Sequence, residues 1–240
     1  MTGTLVNVAA VVAGGLVGLV ARKGVSKPME KALNQALGVA VVVIGINGVV
    51  TNMVSANADG SLSSSGELLL VFSLVLGMAA GEALRIDDRL AGLGGYVERR
   101  FKLSGFAASF VSGTLIYCVG AMAIVGSLND GLRGDASVLL VKSTLDGISS
   151  IVLGATLGPG VIFSAVPVLL YQGGITLCAS ALEPLLTPAL LSQICAAGFA
   201  MVGCIGVNFL GGKIKTANFL PGLLVPPLWA LAQSLLGALL

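Results

Sequence analysis

An all-α, polytopic transmembrane helical bundle of about eight spans is the fold class the sequence predicts, and three observations predict it. Of 240 residues, 56% are hydrophobic and 10% charged, with a mean hydropathy of +1.01, whereas a soluble domain carries roughly 25% charged residues. The apolar residues gather into runs of about 20, the length that crosses a bilayer. The cations collect in alternate connections between those runs, as positive loops do on the cytoplasmic side. So few charges would leave large apolar patches facing water, which excludes a soluble globule. The formal net charge of +2 is too small to suggest a nucleic-acid partner. The absence of histidine removes the commonest metal ligand and the usual proton shuttle at neutral pH. Cys118, Cys178, Cys195 and Cys204 lie in apolar runs, outside any CxxC pair, and read as small hydrophobes. No cofactor is indicated.

In chain order the runs cover residues 4–21, 34–54, 67–84, 106–128, 137–157, 160–182, 189–211 and 218–239. They read as a single integral membrane domain over 1–240. No cation precedes the first run, while Arg22, Lys23 and Lys27 follow it; that is the reverse of a secretory signal, so it is read as a permanent span. The first connection carries Arg22, Lys23, Lys27 and Lys31, the third Arg85, Arg89, Arg99, Arg100 and Lys102, and the seventh Lys213 and Lys215. These eleven of thirteen cations share one side when eight spans are counted, which puts both termini outside the cytoplasm. Omitting the fifth run would move Lys213 and Lys215 to the opposite side, so the charges favour eight. The 34 glycines suit close helix approach. The pairs Gly14 and Gly18, Gly77 and Gly81, and Gly154 and Gly158 have GxxxG spacing, which points to helix packing or to homo-oligomer contacts.

The third connection, about residues 85–105, is the one sizeable polar stretch. Leu84, Ile86, Leu90, Leu93, Val97 and Phe101 recur there at helical spacing, which predicts a short amphipathic cytoplasmic helix lying along the interface. A partner-binding role and a solvated linker touching anionic lipid both fit it. Elsewhere, Gly14, Pro28, Gly45 and Leu76 find counterparts at Gly173, Pro188, Gly206 and Leu236, offsets of 159, 160, 161 and 160. Such spacing suggests that spans 1–3 and 6–8 are related copies. With eight spans the copies would be inverted about spans 4 and 5, an arrangement found in secondary transporters.

Chemistry concentrates on the fifth and sixth runs. Lys142, Ser143, Asp146, Ser149 and Ser150 fall at i, i+1, i+4, i+7 and i+8 and form one polar stripe on a helix. A carboxylate at mid-span costs about 2.5 to 3.5 kcal/mol and an ammonium a similar amount, while nine aliphatic residues return about 3 to 5 kcal/mol. The stripe must therefore face the bundle interior or a water-filled cavity. Two readings stand: Lys142 and Asp146 neutralise each other to allow burial, or Asp146 binds a cation or proton with Lys142 as the internal competitor. In the sixth run, Pro167 followed by Tyr171, Gln172, Gly173 and Gly174 suggests either a helix opened at mid-membrane, exposing carbonyls beside Gln172, or close packing with interhelical hydrogen bonds. Asn47 and Asn208, each two residues after a glycine, occupy matching places in the proposed copies. They would bond across helices or line a symmetric pathway. Asp135 is placed to cap the fifth span, Asn129 and Asp130 are left open, and Glu82 is expected to meet the basic side of the chain.

No P-loop, HExxH or GxSxG pattern is present; a Ser–Lys dyad using Ser143 or Ser149 is the one enzymatic arrangement available, and the chain is not expected to be an enzyme. The segment Tyr117 to Leu132, then Gly134-Asp135 and Lys142-Ser-Thr-Leu-Asp146-Gly-Ile, resembles the bacterial inner-membrane family of the YqgA/YdfK type, as do Gly3-Thr-Leu-Val-Asn7 and Ala217-Asn218-Phe-Leu-Pro221. The resemblance covers essentially the whole chain and implies a multi-pass protein of the bacterial plasma membrane. The residues themselves suggest a secondary transporter moving a small solute or ion, coupled to a monovalent cation or proton. Its site would comprise Asp146, Lys142, Ser143, Ser149, Gln172, Gly173, Gly174, Tyr171, Asn47 and Asn208. An oligomeric channel-like pore and a non-transporting membrane scaffold are the alternatives.

Overall fold

The computed structural model describes residues 1–22, 24, 26–101, 105–184 and 186–239. Its helices are α1 (Thr2–Arg22), α2 (Lys27–Met53), α3 (Glu67–Leu84), α4 (Ile86–Phe101), α5 (Phe106–Cys118), α6 (Ala121–Arg133), α7 (Ser137–Thr156), α8 (Gly160–Phe163), α9 (Ala165–Leu177), α10 (Ala179–Leu182), α11 (Pro188–Phe209) and α12 (Val225–Leu239), with a 3-10 helix over Thr216–Leu224. The protein is an all-α polytopic bundle. Among the described residues, six helical stretches are long and apolar enough to cross a membrane, α8 and α9 counting together as one over Gly160–Leu177, or seven if the bent α5–α6 pair is one span.

That count departs from eight for identifiable reasons. The run over 106–128 is two helices bent by 60°, because Gly120 takes φ +129, a conformation that apolar periodicity does not register. The last run, 218–239, divides into a 3-10 helix containing Pro221 and the 15-residue α12, which opens with Val225-Pro-Pro. Proline removes a backbone donor and breaks the register there. The fifth run, the least apolar, is a continuous 20-residue helix. A two-stranded antiparallel hairpin, β1 (Val54–Ala56) with β2 (Leu62–Ser64), was not expected. Its turn is held by Asp59, whose carboxylate accepts from the Ser61 backbone N–H and hydroxyl. The connection expected over 85–105 does contain a helix, α4. Lys23 and Lys102, counted among the cations, lie outside the described residues, as do the side chains of Leu93, Val97 and Phe101.

Two compact units divide the chain, one of residues 1–38 and 90–185, the other of 39–89 and 186–240. In the first, α1 packs along α7. Its buried face is Gly3, Thr4, Asn7, Val11, Gly14, Gly15 and Gly18, nearly all small, so the backbones touch: a Cβ added at Gly14 would strike the Gly147 carbonyl, and one at Gly18 the Ile151 carbonyl. Val11, Tyr117, Leu153, Val161, Ala165 and Val168 form the apolar core beside this seam. Gly154 also lies in the seam, against Gly15, whereas Gly158, its GxxxG partner by spacing, falls beyond the end of α7 at φ +111.

In the second unit, Gly77 and Gly81 of α3 lie against the 3-10 helix at Gly222 and Asn218. Asn218 is fully buried and acts as a clasp. Its Nδ2 donates to Glu82 Oε2 at 2.7 Å, and its Oδ1 accepts from the Asp87 N–H at 2.8 Å, in the first turn of α4. Lys215 Nζ donates to Glu82 Oε1 at 3.0 Å and lies 3.5 Å from Asp88. Glu82 thus meets a basic residue, as expected. The α3–α4 corner itself turns on Arg85, at φ +51.

Substituting Gly14 with Ala forces backbone apart, because the obstructing atom is a carbonyl that cannot rotate away. A loss of about 1–3 kcal/mol in unfolding free energy is expected, measured by unfolding of the purified variant. The hydrogen bond from Lys215 to Glu82, aided by the charges of Asp88 and Glu82, raises the lysine above its ordinary range. Stability from this pair is full below the ordinary lysine range and is lost as pH rises through the raised value. The gap in unfolding temperature between wild type and Lys215→Met should close at alkaline pH.

Candidate functional site

The polar stripe of α7 faces inward in the first unit: Lys142, Ser143, Asp146 and Ser150 are buried, and Ser149 is half-buried. Lys142 Nζ donates to Asp146 Oδ2 at 2.6 Å across one helical turn. The pair is nearly closed to the surface, with side-chain exposures of 8% and 10%. Burial this deep makes mutual neutralisation obligatory, since either charge alone would be strongly unfavourable in an apolar bundle.

Two further helices complete the cluster. Asn7, from α1, donates through Nδ2 to Asp146 Oδ2 at 3.0 Å and to Gln172 Oε1 on α9 at 3.2 Å. Both amides are fully buried. An ammonium, a carboxylate and two carboxamides from three helices are therefore joined in one network. It is incompletely satisfied: Asn7 Oδ1 and Gln172 Nε2, one acceptor and one donor, have no partner among the described residues. A little along α7, the Ser150 hydroxyl and the Tyr117 hydroxyl of α5 lie 2.7 Å apart.

Several expected site residues are placed otherwise. Ser143 gives its proton to the Leu139 carbonyl of its own helix at 2.6 Å. Ser149 makes no side-chain hydrogen bond among the described residues. The backbone is not opened at Gly173 and Gly174: α9 runs unbroken through both. Pro167 falls in the first turn of α9, where the backbone donors have no intrahelical partner to lose. The breaks come instead at Ser164 and at Cys178. Gly173 is buried, Gly174 is exposed with open space around it, and Tyr171 is half-buried beside them. Asn47 and Asn208 belong to the second unit. Asn47 is exposed on α2, and Asn208 closes the end of α11 by two hydrogen bonds to Ile214, at 2.7 and 2.8 Å.

The residue that the reading of chemistry missed is Asn7. Its signal was positional: it is the one amide on the small-residue face of α1. Asp130, left open before, is buried on α6, where its Oδ2 accepts from the Gly3 N–H at 3.1 Å and pairs with the Met1 ammonium at 2.9 Å. Asp135 accepts from the Ser137 N–H at 2.9 Å in the turn before α7, but the N-cap of that helix is Ala136, without a side-chain cap, so the cap expected of Asp135 is replaced by a turn contact. That bond holds its carboxyl below the ordinary range.

Fold and site together define a polytopic α-helical membrane protein with a buried, charged hydrogen-bond cluster between helices. The chain belongs to the family described as "Protein of unknown function (DUF554)", whose model matches residues 2–231. It is 32% identical over 228 residues to the uncharacterized membrane protein YdfK of Bacillus subtilis strain 168, covering 95% of this chain and 94% of the relative. It is 26% identical over 231 residues to the uncharacterized protein YqgA of Escherichia coli strain K12, covering 93% of each. The resemblance seen in the sequence is thereby borne out. No solved structure matches significantly.

Replacing one member of the pair leaves the other charge buried alone. Asp146→Asn should therefore lose about 3–5 kcal/mol of stability. The double replacement Lys142→Met with Asp146→Leu should recover most of it, and unfolding of the three variants beside wild type checks this.

Proposed function

We propose that this protein is a secondary transporter of a small solute or ion, coupled to a monovalent cation or proton, with Asp146 as the coupling carboxylate. One observation carries the reading: the Lys142–Asp146 pair is tied through Asn7 to Gln172, and the amides keep an unpartnered acceptor and donor inside the bundle. A cluster serving helix adhesion alone gains nothing from bare polar atoms, whereas a binding site needs them. Lys142 is the internal cation that an incoming ion replaces. Ser149, Tyr171, Gly173 and Gly174 flank the cluster along α7 and α9, with Gly173 and Gly174 giving room beside Gln172.

In this reading the chain lies in the bacterial plasma membrane with its cation-rich connections on the cytoplasmic side. Both termini are extracytoplasmic, the 3-10 helix and α12 completing the last crossing. Gly14, Gly18, Gly77 and Gly81 are engaged within the chain, so a homo-oligomer would form through other surfaces. The scaffold reading is favoured by a different observation, the close mutual neutralisation of Lys142 and Asp146.

The two readings part in ligand-dependent unfolding, because a bound ligand raises stability by mass action. Unfolding temperatures of purified wild type and Asp146→Asn are compared across Na⁺, K⁺, Li⁺ and a pH series. Transport predicts a rise with one cation or with pH that the variant lacks. Parallel curves for the two proteins would sink the transport reading and leave the pair as a packing element.

A further inference from the structure

Seven buried side-chain atoms lack a hydrogen-bond partner among the described residues, and four of them, Thr4 Oγ1, Asn7 Oδ1, Ser127 Oγ and Gln172 Nε2, belong to wholly buried side chains of the first unit. Their helices converge. The bond from the Gly3 N–H to Asp130 fixes the start of α1 against α6. Ser127 stands one turn before Asp130 on α6, and Thr4 one turn before Asn7 on α1. A Cβ at Gly131 would strike the Thr176 carbonyl, so α6 also touches α9 one turn from Gln172. Thr4 thus lies on α1 between Gly3, bonded to Asp130, and Asn7, bonded to Asp146, while Ser127 is one turn from Asp130 and Gln172 is bonded to Asn7.

Native interiors satisfy such atoms with ordered water or a ligand. The set here mixes one amide acceptor, one amide donor and two hydroxyls that do either, which is the complement of water. It is a poor cage for a metal cation: three of the four atoms are uncharged oxygens, and the fourth, Gln172 Nε2, is a donor that a cation cannot use. We propose that Thr4, Asn7, Ser127 and Gln172 line a hydrated track joining Asp130 to Asp146, and that the coupling ion is the proton. The proposal rests on the transport reading and specifies its ion. A proton arriving along the water binds Asp146 Oδ2, the Lys142 Nζ contact opens, and the ammonium turns to water or to Asn7 Oδ1. Loss of that proton from Asp146 restores the pair; one proton moves and no electrons are exchanged. The other titratable groups near this stripe are Tyr117, whose hydroxyl lies 2.7 Å from that of Ser150, and Cys118 next to it on α5, while α1 and α9 present the uncharged Asn7 and Gln172.

Infrared difference spectra of the full chain in liposomes, titrated from neutral to acid pH in H₂O and D₂O, test this. The expected result is a carboxylic-acid carbonyl band that is absent in Asp146→Asn and shifts promptly in D₂O. Its exchange should slow by about tenfold in Thr4→Val and in Ser127→Ala, each of which removes one relay partner. Wild type alone is already decisive: no protonated Asp146 band while the protein remains folded, or exchange as slow as in the dry core, overturns the track. Exchange unchanged in both hydroxyl variants overturns it too. If the carboxyl band is silent while Na⁺, K⁺ or Li⁺ stabilises wild type and not Asp146→Asn, the proton is wrong and the transport reading survives.

Discussion

An ammonium and a carboxylate inside an apolar bundle constrain every helix that touches them. Lys142 and Asp146 cancel in charge, yet a carboxylate has about four acceptor positions and one lysine cannot fill them. Asn7 supplies a further donor, and to reach Asp146 it must sit on a helix at backbone contact with α7. A Cβ would strike backbone at the points of closest approach, which accounts for Gly14 and Gly18 on α1 and for Gly154, against Gly15, on α7. The glycine face and the charged stripe are therefore two sides of one requirement. Enlarging a glycine would disturb the electrostatics, and removing a charge would take away the reason for the close seam.

A related trio occurs in the second unit, where Asn218 holds Glu82 beside Lys215. The chemistry matches but the surroundings do not. Lys215 and Glu82 are 42% and 55% exposed, so water competes for both charges and the contact works as a latch on the α3–α4 corner. The buried trio has no such competition and must be satisfied from within. The two do not fall on matching positions of the three-helix copies suggested by the sequence, since an offset of 160 from Asn7 arrives at Pro167. They lend that duplication no support.

How much of this was legible beforehand follows from what each feature depends on. The stripe on α7 could be read because charge in an apolar run is conspicuous and helical spacing alone decides which side chains share a face. The turn contact of Asp135 before α7 could be read for the same local reason. Asn7 could not, because its role depends on which helix lies opposite, and the sequence around it records only a face of small residues. Breaks in helices were misplaced on similar grounds. Pro167 drew attention as a disruptor, but in the first turn of α9 it costs little. The real break, at Gly120, is a backbone torsion inside an uninterrupted apolar run. The Asp59 hairpin is short and polar, and read as a plain connection.

That hairpin has a practical consequence. Its tip, Asn57 to Ser61, is fully exposed, and its local hydrogen bonds are made among its own residues. Tight polar turns of this kind tolerate inserted residues better than helical segments do. An epitope or protease sequence grafted there would report which face of the bilayer it occupies, in intact cells and in inverted vesicles. The sidedness of the chain then becomes a matter of labelling rather than of counting charges.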